Sequence, residues 1–202
     1  MLRNYITVAV RNILRFKGYA AINILGLAIG MATCIIIVRY VQDETSYDAW
    51  HPGADRIYRV LRETRAGGQS EFQPGTSAPL AQTLEADFPD VEEAVRVWPS
   101  FGEVNKGDER LYASICATDP EFFELFDFPV LRGDIASVFA HPHSIAVTEK
   151  AAKRFFGEED PLGRIIRFHA RHHGGEKKIV AILKQPPTNS TIELEFVSGA
   201  VF

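Results

Sequence analysis

Between Gly18 and Val38 the sequence GYAAINILGLAIGMATCIIIV runs for 21 residues without a charge, and this segment constrains the chain more than any other feature. Coiled as a helix at about 1.5 Å per residue, it reaches about 30 Å, the thickness of a bilayer's hydrocarbon layer. A cleaved signal peptide has a shorter apolar region, roughly 7–15 residues, ending at a small-x-small site. This run is longer and has no such ending. At Met31-Ala32-Thr33-Cys34 a threonine precedes the cysteine and branched apolar residues follow, which argues against a lipidated cysteine. The sequence therefore predicts a transmembrane helix over 18–41, preceded by a short element over 1–17 and followed by a folded domain over 42–202.

Charge sets the expected orientation. Arg3, Arg11, Arg15 and Lys17 precede the span with no acid among them, whereas Asp43, Glu44 and Asp48 follow it, with Arg39 at the far boundary. Positive flanks stay on the cytoplasmic side, so the N-terminus is expected inside and the main domain outside, in the periplasm of a cell with two membranes. Leu2, Ile6, Val10, Ile13 and Leu14 recur at helical spacing against Arg3, Thr7, Arg11 and Arg15, the pattern of an amphipathic helix lying on the inner leaflet with membrane lipid as its partner. Within the span, Gly26 and Gly30 stand four residues apart beside Ala28 and Ala32, a small-residue face that would let a second helix approach closely. Beyond residue 17 the chain carries 18 basic against 26 acidic residues, a balance of −8. So acidic a body excludes nucleic acid as a partner.

The domain over 42–202 reads as α+β, with one membrane helix before a mixed, largely antiparallel body. Thirteen of the chain's 14 phenylalanines lie in it and supply a core. Residues 43–55 form a lead-in punctuated by His51-Pro52-Gly53. Ile57–Leu61 is rich in β-formers, and Gly67-Gly68 would turn a hairpin back through Glu71 and Phe72. Ser77 and Pro79 open a helix in which Leu80, Leu84 and Phe88 make one buried stripe. Strands over Val91–Val97 and Arg110–Cys116 are expected to pair through a turn at Asn105-Lys106-Gly107-Asp108. Asp119-Pro120 starts a short helix crowded with Phe122, Phe123, Leu125 and Phe126, broken by Pro129 and Gly133. Ser144–Val147 reads as a strand, and Thr148 caps a helix that ends at Gly157. Pro161–Phe168, Lys178–Leu183 and Ile192–Val197 complete the strands. The final SGAVF supplies no recognisable closing element, so the domain is expected to be incomplete at that end.

Candidate chemistry is sparse, and catalytic, metal and cofactor sites are all expected to be absent. His169, His172 and His173 could share a metal, but beside Gly174-Gly175 they decorate a hairpin tip and no cysteine or carboxylate pair completes the set. Asp43-Glu44, Glu92-Glu93 and Glu158-Glu159-Asp160 lack the contrasting environments that acid–base catalysis needs. No phosphate-binding loop, nucleophile elbow or His-Glu-x-x-His pair occurs. Cys34 and Cys116, one in the apolar run and one in a strand, are not expected to pair. Trp50, Trp98, Phe122, Phe123, Phe126 and Phe128 could line an apolar ligand groove; the Phe cluster reads rather as core, whereas Trp98 stays open between the two readings because Pro99 beside it suggests a strand end near the surface.

Six phrases in order resemble the N-terminal part of ABC transporter permeases of the MacB/FtsX type, namely their first membrane helix and MacB-like periplasmic core domain. They are Arg11-Asn12 with FKGYAAINILGLAIGMA, YDAWHPGADRIYRV, TSAPLAQTLEADFPDVEEAVR, TDPEFFELFDFPVLRGD, SIAVTEKAAKRFFGEEDPLGRIIRF and PPTNSTIELEF. Thr191 stands where that family usually has His or a similar residue after Asn-Ser. The resemblance implies four membrane helices with the large outer domain between the first two, a second permease copy, a separate cytoplasmic ABC ATPase, and a periplasmic adaptor or lipoprotein substrate. It further implies that ATP-driven helix motion is relayed to the outer domain, a process called mechanotransmission. Helices two to four lie outside these residues, so the sequence is expected to be a fragment. The alternative is a single-span, membrane-anchored periplasmic sensor or ligand-binding protein, which would carry an apolar pocket in a monomeric outer domain. An anchored enzyme would need His172 in a cleft beside paired carboxylates.

Overall fold

The computed structural model describes residues 2–106, 109–169 and 174–200, and divides into two compact units, Met1–Tyr47 and Asp48–Phe202. The first consists of α1 (Leu2–Arg15) and α2 (Lys17–Thr45). They are separated by a bend at Phe16, whose φ of −114° and ψ of 54° leave the helical region. At 29 residues, α2 is longer than the expected 18–41 and carries Asp43 and Glu44 in its last turn. It has no buried residue, and by length and composition it can cross a membrane. Thr33 and Thr45 donate their hydroxyls to the carbonyls of Ile29 (2.9 Å) and Val41 (2.8 Å), so these polar side chains are satisfied within the helix.

The second unit begins with turns through Gly53, at φ +71°, and a 3-10 turn over Ala54–Arg56. Ile57–Leu61, expected as a strand, is extended but unpaired, with Tyr58 82% exposed. β propensity needs a partner to become a strand, and the ladder starts only at Arg62. There β1 (Arg62–Ala66) pairs antiparallel with β2 (Gln69–Gln73). The turn between them places Gly67 and Gly68 at φ +59° and +81°, as a two-residue hairpin loop demands. Helix α3 (Leu80–Asp87) follows. It corrects the expected stripe: Leu80 and Leu84 are half-buried, Phe88 caps the helix in an extended conformation and is exposed, and no residue of α3 is buried.

The remaining elements are β3 (Val97–Lys106), β4 (Glu109–Thr118), α4 (Phe122–Phe126), β5 (Val130–Gly133), α5 (Ala136–Ala140), β6 (Ser144–Thr148), α6 (Glu149–Phe156), β7 (Ile165–His169), β8 (Gly175–Leu183) and β9 (Phe196–Gly199). Residues 91–96 are not the expected strand because side chains take their backbone donors: the Glu85 carboxylate accepts from Ala94 N–H (2.8 Å) and Asp119 from Arg96 N–H (3.0 Å). The 192–195 stretch likewise precedes its strand, with the Glu195 carbonyl accepting from Thr148 N–H and its carboxylate from Ser114 N–H. Residues 161–164 turn through Gly163 at φ +79° before β7 starts. β5 and α5 were not expected. Gly107 and Asp108 of the expected turn, and the last two residues of SGAVF, lie outside the described residues.

The large sheet runs β5-β8-β6-β9-β4-β3-β7, and β7 pairs again with β8, so six strands close into a ring and β5 hangs on its outside. The β4–β9 and β6–β8 pairings are parallel and the others antiparallel. Side chains alternate across this wall as strand geometry requires. Ile145, Val147, Ile115, Val104, Phe168, Ile179 and Phe196 join one cluster that draws on every strand of the ring, the barrel interior, which the Ala151-Ala152-Phe155 face of α6 joins. Ala146, Cys116, Ala181, Leu183 and Val197, their sequence neighbours or near neighbours, face outward into a second cluster with Phe122, Phe128 and Val138. Thr148 caps α6 as expected, accepting from Ala151 N–H at 3.3 Å. Pro99 tolerates its place in β3 because, among the described residues, the strand's second neighbour β7 pairs only at Glu103 and Val104.

Candidate functional site

No metal-binding group of three or more His, Cys, Asp or Glu side chains assembles among the described residues. What does assemble is a clasp where the second unit begins. Asp48 holds a left-handed backbone, φ 55°, uncommon for a residue with a side chain. Its N–H donates to the Asn189 carbonyl (3.0 Å), and its carboxylate accepts from the Thr191 N–H (2.8 Å). One turn on, His51 N–H donates to the Asp48 carbonyl (3.2 Å), and His51 Nδ1 lies 2.9 Å from the Phe126 carbonyl oxygen. Aromatic contacts surround the imidazole, with ring centres of Trp50, Phe126 and Phe128 at 3.7, 5.1 and 5.6 Å. His51 and Phe128 are buried and Trp50 packs against the outer cluster. Residues 48–51 are thereby fastened to the 189–191 loop and to the end of α4.

Two buried polar atoms of this clasp, Trp50 Nε1 and His51 Nε2, have no hydrogen-bond partner among the described residues. The Nε2 lies 4.0 Å from an Asp48 carboxylate oxygen, beyond hydrogen-bond reach. Sequence reasoning treated His51 as turn punctuation and Thr191 as a small departure. The polar and aromatic density of YDAWHP was visible, but nothing in a single sequence joins Asp48 to a partner 143 positions away.

Beside the clasp, Arg96 grips Asp119 with two side-chain bonds (2.8 and 2.6 Å) as well as its backbone N–H. Burial raises the Asp119 pKa, but these bonds outweigh it and hold the carboxyl below the ordinary aspartate range. Nearby, burial and then the charges of Glu124, Glu121 and Glu85 push Glu93 upward.

The other sequence candidates fall as follows. Gly26 and Gly30 are open: a Cβ on either would meet nothing within 4 Å. Arg11, Arg15 and Lys17 are exposed, with the Arg15 guanidinium 5.7 Å from the Phe16 ring centre. The Arg3 side chain, His172 and His173 lie outside the described residues. His169 is exposed on β7 beside Asn105. Glu92, Glu159 and Asp160 pair with Arg56, Arg164 and Arg132 at the surface. The cysteines do not bond to each other, and burial pushes the Cys116 thiol up to about 12. Phe122 and Phe128 are core, with rings stacked at 5.3 Å, while Trp98 is partly exposed. A half-open cleft of about 280 Å³ lies where β3 and β7 diverge, lined by Val104, Phe155, Ile165 and Ile166 with Asn105 and Arg167 at its polar side.

The family model of the MacB-like periplasmic core domain matches residues 20–198. Among solved structures, a domain of a putative permease protein from Porphyromonas gingivalis has a TM-score of 0.50 at 16% identity, over 65% of this chain and 55% of that one. The extracellular domain of the noncanonic ABC-type transporter YknZ from Gram-positive bacteria has a TM-score of 0.50 at 15% identity, over 61% and 62%. The periplasmic region of MacB from Actinobacillus actinomycetemcomitans gives 0.44 at 16% identity, over 59% and 52%. The chain thus spans between about half and three-fifths of the solved domains it matches. Comparison with curated proteins gives no match.

Proposed function

The chain belongs to the MacB-like periplasmic core domain family, and on that premise we propose that it forms part of the permease subunit of an ABC transporter. In this reading α2 crosses the inner membrane with the N-terminus in the cytoplasm, and a separate cytoplasmic ATPase supplies the energy. Motion of the membrane helices then reaches the outer domain and drives efflux or extraction of a substrate. The observation that carries the reading is the unbroken family match, which starts inside α2 and runs through the closed sheet.

A tagged full chain, purified from detergent-solubilised membranes of its source cells, is expected to bring down an ABC ATPase and a second permease copy. A monodisperse monomer without an ATPase overturns the reading and favours the membrane-anchored sensor. For that rival the specific observation is the cleft between β3, β7 and α6, where Val104, Phe155, Phe156, Ile165 and Ile166 share the lining with Asn105 and Arg167.

A further inference from the structure

We propose that residues 57–88 form an incomplete layer, and that the chain's own continuation beyond residue 202 completes it by adding a strand beside Ile57–Leu61 and covering the apolar side chains there. No residue from Pro52 to Phe101 is buried, although this stretch holds β1, β2 and α3. Tyr58, Val60, Leu61, Phe72 and Phe88 are between 46% and 82% exposed. Phe72 lies opposite Glu63, so Leu61, two positions before Glu63, shares its face of the hairpin, while Tyr58 and Val60 take the other. A lone two-stranded hairpin is marginal in water, and a third strand with a cover for the apolar face is what makes such a sheet stable.

The backbone makes the same demand. Residues 58–61 are extended and enter no ladder among the described residues, so a run of amides and carbonyls is open to a further strand. β2 cannot supply the bonds: its pairing stops at Gln73, and Pro74, the next residue, has no N–H to give. The chain itself arrives at the right place. Ala200 N–H donates to the Thr118 carbonyl (2.9 Å), and the Thr118 hydroxyl donates to the Arg96 carbonyl (2.8 Å), so residue 200 runs beside the end of the uncovered stretch. Both solved domains that share the fold at a TM-score of 0.50 contain chain beyond the matched part, enough for further elements. Arg59, Arg62, Glu63 and Arg65 interrupt the apolar residues, which makes lipid a poor cover for them.

The test is photo-cross-linking of the full chain in membranes of its source cells, with p-benzoylphenylalanine in place of Tyr58 or of Phe72, both aromatic and exposed. Adducts are expected within one chain, to residues numbered above 202. Adducts to a second copy, to another protein or to lipid overturn the proposal, as do the absence of any adduct and a natural chain that stops at residue 202. In the unsubstituted chain, the amides of residues 58–61 should exchange about tenfold more slowly than those of Gly67 and Gly68, a bonded strand against an open turn. Equal exchange overturns the added strand. A covered layer does not depend on transport: internal adducts together with a pull-down that lacks an ATPase would remove the permease reading and keep this one.

Discussion

Asp119 shows how much of this molecule is decided by single side chains. Its carboxylate holds both Arg96 and the backbone leading into β3, and the buried Thr118 hydroxyl donates back to the Arg96 carbonyl at 2.8 Å. Asp119→Asn keeps the volume and loses the charged, two-pronged bond. It is expected to lower stability by about 1.5–3 kcal/mol at neutral pH, measured by urea unfolding. Because the folded-state pKa is depressed, the stabilisation is complete above the ordinary aspartate value of about 3.9 and is lost as pH falls through the lower folded value. The gap between wild type and variant should therefore close below about pH 4. Neither this pair nor the clasp was legible in the sequence. Asp119 reads as the opening of a helix and Arg96 as part of a strand, and only the fold brings them to one place. Gly133 is a similar case: it reads as a helix breaker, yet sits at φ +86°, where an added Cβ would come 2.2 Å from the Val180 carbonyl oxygen.

Among the elements, those with a local signal were legible. Two adjacent glycines turn β1 into β2, and Thr148 and Gly157 bracket α6 as a cap and a left-handed stop. Elements whose identity depends on a distant partner were not. β5 is a strand because β8 offers it an edge, and Ile57–Leu61 has no partner despite its β-rich composition. The helix-packing face of α2 belongs to this scale as well. Gly26→Ile with Gly30→Ile is expected to weaken association of the α2 segment in a membrane-helix dimerisation assay, roughly to the level of a non-associating control helix. Unchanged association would remove the small-residue face as a contact.

For the whole molecule, the division into a membrane-competent helix and a sheet domain was legible from hydropathy and charge. The closure of the sheet was not. Closure depends on β8, which pairs with β6, β7 and β5, and on parallel ladders between strands far apart in sequence. Orientation remains a matter of the basic flank, and a direct test exists. A phosphatase that is active only outside the cytoplasm, fused after Ser46, should be active with the native flank. Arg11→Glu with Arg15→Glu should reduce that activity by roughly half or more, since positive residues beside a span hold it inside. An inactive fusion on the native flank would reverse the assigned topology.

The ring of strands has one further property. Considered as a circuit, it offers two routes between any two of its members, one in each direction around the wall. Cutting any single ladder in the circuit leaves a connected ribbon rather than two detached pieces. Among the described residues, β5 is a spur on this sheet with one attachment. Redundancy of this kind lets a part be pulled upon repeatedly while no single junction is indispensable to its integrity.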